Sequence, residues 1–242
     1  MTDGAAREHR TVSRVTTILE TAAASAAGAS LGELASLLNA PKSSVHYLVK
    51  GLLATGYLQE TADGRYEIGP AVAMLSSSGT SPVLASAHRS LETIQRACNE
   101  SATLCTLVGN NVVYVDIVES TQLIRYSAPL RVRRPIYPTS AGKCFLAFMP
   151  EAKRSKYLDE HVQGAANIAR VEAELRDVAE NGYSMNRGET VPDVFAVASP
   201  IIIGDAVVAC LQVAGPSGRM ADRMADLAAL VLGEARRLSR RS

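Results

Sequence analysis

Tryptophan is absent from this chain, and only 5% of its 242 residues are aromatic. A core must therefore be built from aliphatic side chains, and a hydrophobic content of 47% supplies them. The four cysteines (Cys98, Cys105, Cys144, Cys210) form no CxxC pair, and no histidine lies at metal-ligand spacing from them. That excludes a zinc module and favours reduced thiols in a cytosolic core, with no metal and no cofactor expected. No apolar run approaches membrane-spanning length and the first ten residues are polar, so a soluble, cytoplasmic protein is expected. Charge of one sign is lacking too. The net charge is +1, and the first seventy residues hold six Lys/Arg against seven Asp/Glu. Any affinity for a polyanion must come from local placement and from avidity. One local absence stands out: no Asp or Glu occurs from Leu34 to Gln59.

That acid-free stretch contains two short helical patterns. The first opens with Ser30-x-x-Glu33, a capping box, and places Leu31, Leu34, Ala35 and Leu38 on one face. Asn39-Ala40 breaks the pattern, and Pro41 suits the first turn of a second helix. There Val45, Leu48, Val49, Leu52 and Leu53 make a core-facing stripe. The opposite face carries Lys42, Ser43, Ser44, His46, Tyr47 and Lys50, all hydrogen-bond donors or mixed groups. A helix-turn-helix has this layout, its second helix entering the DNA major groove. An ordinary helical hairpin with solvated Lys and Ser shares it. The adjoining segment favours the first: Tyr57–Glu60 and Arg65–Ile68 alternate like strands around Ala62-Asp63-Gly64, which reads as a wing. Arg65 is the expected phosphate or minor-groove contact of that wing. With a preceding helix over Arg10–Ser25, the pattern predicts a winged helix-turn-helix over 8–70.

A Ser/Gly/Pro cluster at 76–82 marks a boundary. A linker or dimerisation helix is expected within 71–98, where Leu84, Ala87, Leu91, Ile94 and Cys98 are spaced like a short coiled-coil seam. The same spacing suits a helix packed on its own domain. Beyond 99 the composition turns β-rich. Thr103–Val108 and Val112–Glu119 form a hairpin across Gly109-Asn110-Asn111, and Leu123–Ser127 is a third strand candidate. A helix near Ala141, another over Arg170–Asn181, strands at Val194–Ser199 and Ala206–Val213, and a closing helix over Met220–Arg241 complete the pattern. Strands, helices and strands again predict an α+β domain with an antiparallel sheet over 99–242.

The motifs KSSVHYLVKGLLATGYL, RPIYPTSAGKCFLA, ENGYSMNRGE, VFAVASPI and LQVAGPSGRM occur in that order. In this the chain resembles IclR-family transcriptional regulators over residues 8 to 240. The resemblance implies a GAF/PAS-like effector-binding domain, a homodimer or dimer of dimers, a palindromic double-stranded operator and a small-molecule effector. Family ligand contacts carried onto matching positions give Ser140, Ala141, Asn186, Val194, Ala196, Gln212 and Ala214. The family often has an acid where Asn186 stands and a cysteine where Ala196 stands. The resemblance thus implies a roomier cleft without fixed negative charge, suited to a flat aromatic acid or amide.

Ala141-Gly142-Lys143 looks like part of a P-loop, but Tyr137 and Cys144 occupy positions that need Gly and Ser/Thr. An enzyme using Lys143 or Cys144 would need a partner base, and none lies within that motif. A structural lysine is the better expectation. The reading is a DNA-binding regulator that represses a catabolic operon until its ligand releases it, with activation as the alternative sign.

Overall fold

The computed structural model describes residues 9–25, 27–76 and 82–240, and the chain divides into two compact units, 1–80 and 81–242.

The first unit begins with α1 (Arg10–Ala24), α2 (Leu31–Leu37) and α3 (Lys42–Ala54). The capping box at α2 is formed in both directions: Glu33 N–H donates to Ser30 Oγ at 3.2 Å, and Ser30 N–H donates to Glu33 Oε2 at 2.7 Å. Pro41 stands one place earlier than expected, as the N-cap of α3, so that helix opens with no side-chain cap. Val45, Val49 and Leu52 are buried against Ile18, Leu34 and Leu58, which makes one aliphatic core from the three helices and the hairpin. That hairpin is β1 (Leu58–Glu60) with β2 (Tyr66–Ile68), paired antiparallel. Ala29 bridges to Tyr66 through two 2.8 Å hydrogen bonds and ties the turn before α2 to the wing. A short α4 (Ala71–Ser76) follows.

The second unit opens with α5 (Pro82–Cys98). Its seam residues Ala87, Leu91, Ile94 and Cys98 are buried in the unit's own core, so that face is not left for a coiled coil. The side chain of Leu84 lies outside the described residues. A six-stranded antiparallel sheet follows, built from β3 (Ser101–Val108), β4 (Asn111–Val118), β5 (Arg133–Pro135), β6 (Ser184–Arg187), β7 (Val194–Ile203) and β8 (Ala206–Pro216). The strand order is β5-β4-β3-β8-β7-β6. The β3–β4 turn falls where expected but is one residue shorter: Gly109, at φ +60°, and Asn110 form the loop, and Asn111 already opens β4.

One face of the sheet packs on α5 and on α10 (Met224–Ser239). The expected single closing helix is broken: α9 (Ser217–Met220) and a 3-10 turn over Ala221–Arg223 precede α10, and Arg241 lies outside the described residues. The other face packs on α6 (Ser140–Ala147), α7 (Glu151–His161) and α8 (Ala165–Asn181), through Phe145, Leu146, Leu158, Val171 and Leu175.

Leu123–Ser127 is not a strand; the third strand is β5 instead. Leu123 and Ile124 are 94% and 73% exposed, so the alternation there faces no core. Side chains hold this segment in place of a ladder. Ser101 Oγ donates to the Tyr126 carbonyl at 2.6 Å, Thr121 Oγ1 to Asn99 Oδ1 at 2.9 Å, and Arg125 pairs with Glu119 at 2.8 Å.

Candidate functional site

Two sites emerge, one in each unit. In the first, α3 turns its polar face outward. Lys42, Ser43, Ser44, Tyr47 and Lys50 are exposed, His46 is half-buried, and Tyr47 stands 76% exposed. The other face buries Val45, Val49 and Leu52 and half-buries Leu48 and Leu53, so the core makes no use of the Tyr47 ring.

Arg65 is placed differently from expectation. Its Nε donates to the carbonyl of Ala27 at 2.9 Å, and its Nη2 donates to Gly28 O at 2.9 Å and pairs with Glu33 Oε2 at 2.8 Å. The guanidinium thus closes the carbonyls of the α1–α2 turn and braces the capping box. The guanidinium expected on DNA is thus already engaged within its own unit, with the side chain 29% exposed. The backbone hydrogen bond from Ser30 and the contact with Arg65 hold the Glu33 carboxyl below its ordinary value.

The second site is a cavity of about 310 Å³, mouth included, between the β7–β8 half of the sheet and the start of α6. Its enclosed part has room for roughly one water. Six of the seven expected residues line it: Ser140, Asn186, Val194, Ala196, Gln212 and Ala214. Ala141 does not; it is fully buried in the core beneath α6. Register explains the grouping. Ala196 pairs with both Asn186 and Ala214, so the three stand in one row across β6, β7 and β8.

Sequence reasoning missed Tyr114, Tyr126, Thr139, Thr190 and Val191, which complete the lining. Thr139 was legible as an N-cap, and it acts as one: its Oγ1 accepts from Gly142 N–H at 3.1 Å and donates to Ile136 O at 2.7 Å. Gly142 is required there, because a Cβ would lie 1.8 Å from the Ile136 carbonyl oxygen. The glycine of the P-loop-like motif therefore serves close packing.

The polar groups form a chain. Ser140 Oγ donates to Gln212 Oε1 at 3.0 Å, and Gln212 Nε2 donates to the Tyr114 hydroxyl at 3.3 Å. Burial pushes the Tyr114 phenol well above its usual range, so it stays a proton donor. Arg134 stacks on that ring, 4.0 Å from its centroid. Asn186 is more committed than expected. Its Nδ2 donates to Pro138 O at 2.7 Å and to Thr190 Oγ1 at 2.8 Å, and its Oδ1 accepts from Gly188 N–H at 3.2 Å. It fastens the 188–193 lip to the turn before α6 and, with both amide protons used, has little left to offer a ligand.

Lys143, one turn into α6, is fully buried yet paired. Its Nζ lies 2.6 Å from Glu174 Oε1, 2.8 Å from Glu189 Oε2 and 2.9 Å from Met185 O. The acids missing from its own motif come from α8 and from the lip. Cys144 is also buried, with Sγ 3.3 Å from Ser184 Oγ.

The family model of the bacterial transcriptional regulator IclR C-terminal domain matches residues 76–240, and that of the IclR helix-turn-helix domain matches residues 11–62. The chain is 30% identical over 216 residues to the probable transcriptional regulator SauR of Cupriavidus necator, covering 84% of each chain. It is 27% identical over 235 residues to the acetate operon repressor of Salmonella typhimurium, covering 92% of this chain and 86% of that one. In fold it is similar to the crystal structure of a putative IclR transcriptional regulator from Silicibacter, with a TM-score of 0.79 at 23% identity, over 96% and 95% of the two chains.

Proposed function

Because the chain belongs to the IclR family of bacterial transcriptional regulators, we propose that it represses an operon and releases it when a small aromatic acid or amide enters the C-terminal cavity. Its relatives are transcriptional regulators, not enzymes, and among the described residues no helix is long and apolar enough to cross a membrane.

The observation that carries the DNA-binding part is the face of α3. Lys42 and Lys50 hold phosphates, while Ser43, Ser44, His46 and Tyr47 read base edges or thymine methyls. The uncapped start of α3 adds amides that a phosphate oxygen can satisfy. A homodimer, or a dimer of dimers, presents this helix twice to a palindromic operator, about one turn apart. Arg65 supports the wing rather than contacting DNA.

The cavity supports the effector part. Tyr114, Tyr126, Val191, Val194, Ala196 and Ala214 give apolar walls, and because the enclosed part has room for roughly one water, these walls part when a ring enters. The acid or amide end of the ligand meets Ser140 at the start of α6, where the helix dipole favours negative charge. The sign follows the relative named as a repressor.

Effector and operator binding are then linked reciprocally: a ligand that weakens operator binding by some factor is itself bound that much more weakly on the operator. Fluorescence anisotropy with the chain's own upstream DNA tests the reading. Salt-dependent binding that benzoate or benzamide weakens is expected. Binding that only short aliphatic acids alter would overturn the aromatic assignment, and no binding at low ionic strength would overturn the whole.

A further inference from the structure

Behind the cavity lining stands one polar group with no partner. Thr103 is fully buried, and its Oγ1 is the single buried side-chain N or O atom among the described residues without a hydrogen-bond partner. A buried hydroxyl in that state is costly to the fold and gains from any occupant that satisfies it.

Register fixes where it stands. Thr103 on β3 lies directly opposite Gln212 on β8, so both side chains project from the same face of the sheet. Two residues along, Ser101 opposes Ala214 on that face. In the other direction Cys105 opposes both Cys210 and Tyr114. Gln212, Ala214 and Tyr114 all line the effector cavity; Thr103 does not line it itself but is the β3 partner of Gln212, one row behind that lining. Tyr126, a fourth lining residue, is held over this spot by the hydrogen bond from Ser101 Oγ to its carbonyl.

The neighbouring polar groups are accounted for. Ser101 Oγ donates to Tyr126 O and accepts from Ser120 N–H at 3.1 Å, and Gln212 is shared between Ser140 and Tyr114. Thr103 alone keeps a donor and an acceptor in hand. The lip and the start of α6 lie along the cavity's other wall, with Ser140, Asn186 and Thr190.

We propose that Thr103 is the reading group of an inner subsite, which accepts a hydroxyl carried by the effector's ring at the end remote from its acid or amide. The inference rests on the aromatic-effector reading and makes it narrower: the preferred ligand is a hydroxylated aromatic acid. Its acid end stays at the start of α6. Its ring lies between Tyr114 and Tyr126, and its phenolic hydroxyl donates one hydrogen bond to Thr103 Oγ1. A ring without the hydroxyl enters but leaves Thr103 unsatisfied, which costs it affinity.

Isothermal titration with benzoate, 3-hydroxybenzoate and 4-hydroxybenzoate, on the full-length protein and on Thr103→Val and Thr103→Ser, tests this. The wild type should bind one of the hydroxylated probes about tenfold more tightly than benzoate. Thr103→Val should bind all three with the affinity of benzoate, and Thr103→Ser should keep the preference. Without ligand, Thr103→Val should melt higher than wild type, because it removes an unsatisfied hydroxyl at nearly constant volume. A Thr103→Val protein that keeps the preference, or that melts lower because a resident water had been holding the hydroxyl, overturns the inner subsite alone. Failure of the wild type to bind any of the three probes overturns the aromatic-effector reading with it.

Discussion

Lys143 on α6 and Glu189 on the cavity lip meet at 2.8 Å, although 46 residues separate them. Glu174 of α8 joins the same ammonium at 2.6 Å. One buried cation thus fixes the helix that begins the cavity, the helix behind it and the loop at its mouth. The three partners are unequal, since the lysine is fully buried while the carboxylates are 34% and 41% exposed.

That asymmetry predicts unequal mutants. Lys143→Met keeps the stem and frees two carboxylates that can turn to water, and should cost about 1–2 kcal/mol. The double change Glu174→Gln with Glu189→Gln strands an ammonium inside the protein, and should cost about 3–5 kcal/mol. Urea unfolding of the full chain, followed by circular dichroism in the transition of the C-terminal unit, checks the order. Equal losses would mean that the lysine's burial carries no electrostatic penalty.

Arg65 makes a second prediction, opposite to the one its position in the wing suggests. Arg65→Ala should lower the melting temperature of the N-terminal unit by a few degrees, since it uncovers the carbonyls of Ala27 and Gly28. Its direct effect on the salt slope of DNA binding should be nil. The pH dependence follows from Glu33, whose carboxyl is held below its ordinary 4.5 by the Ser30 amide and by Arg65. A depressed carboxylate contributes stability above pH 4.5 and loses it as the pH falls through the folded value. Acid unfolding of Arg65→Ala should therefore begin at higher pH than that of wild type.

On α3 the predictions separate positioning from reading. Lys50→Ala should weaken binding to operator and random duplex alike and reduce the salt slope by about one. Ser44→Ala or His46→Ala should leave random-duplex affinity alone and cost about 1–3 kcal/mol on the operator. Competition titrations at several salt concentrations measure both. An unchanged operator preference in His46→Ala would remove that residue from the reading set, and its half-buried position makes it the most exposed to that outcome.

How much of this was legible beforehand depends on whether local chemistry or distant partners decided each feature. The capping box, the stripe of Val45, Val49 and Leu52, and the Gly109 turn are local, and the structure has them where expected. The α5 seam was ambiguous because the same spacing serves a partner helix or the chain's own sheet; here the sheet takes it. The mistaken strand at Leu123–Ser127 had a strand's composition, yet Ser101 Oγ on the Tyr126 carbonyl and the Glu119 carboxylate on Arg125 and Ser127 anchor that stretch from outside it. The lysine's acids and the tyrosine walls of the cavity lie outside the motif that opens α6, beyond any local pattern. Short β6 and polar α7 passed unnoticed for the converse reason, having too few apolar positions to show a period.

Tyr114 links the cavity to alkaline stability. Burial is the main cause of its raised phenol value, with the neighbouring Cys105 thiol adding to it; Gln212 and Arg134 act the other way. An acid whose folded value lies above its ordinary 10 binds its proton more tightly in the folded state. Stability is then fully present below pH 10 and falls as the pH rises past it, because only the unfolded chain can ionise there. Tyr114→Phe should flatten that alkaline fall. It also leaves the Gln212 Nε2 without its acceptor, so at neutral pH the variant should lose about 1 kcal/mol. Melting curves of the two proteins should accordingly converge above pH 10 after differing at pH 7. Curves that stay parallel would show that the phenol ionises in place, with water already inside the cavity.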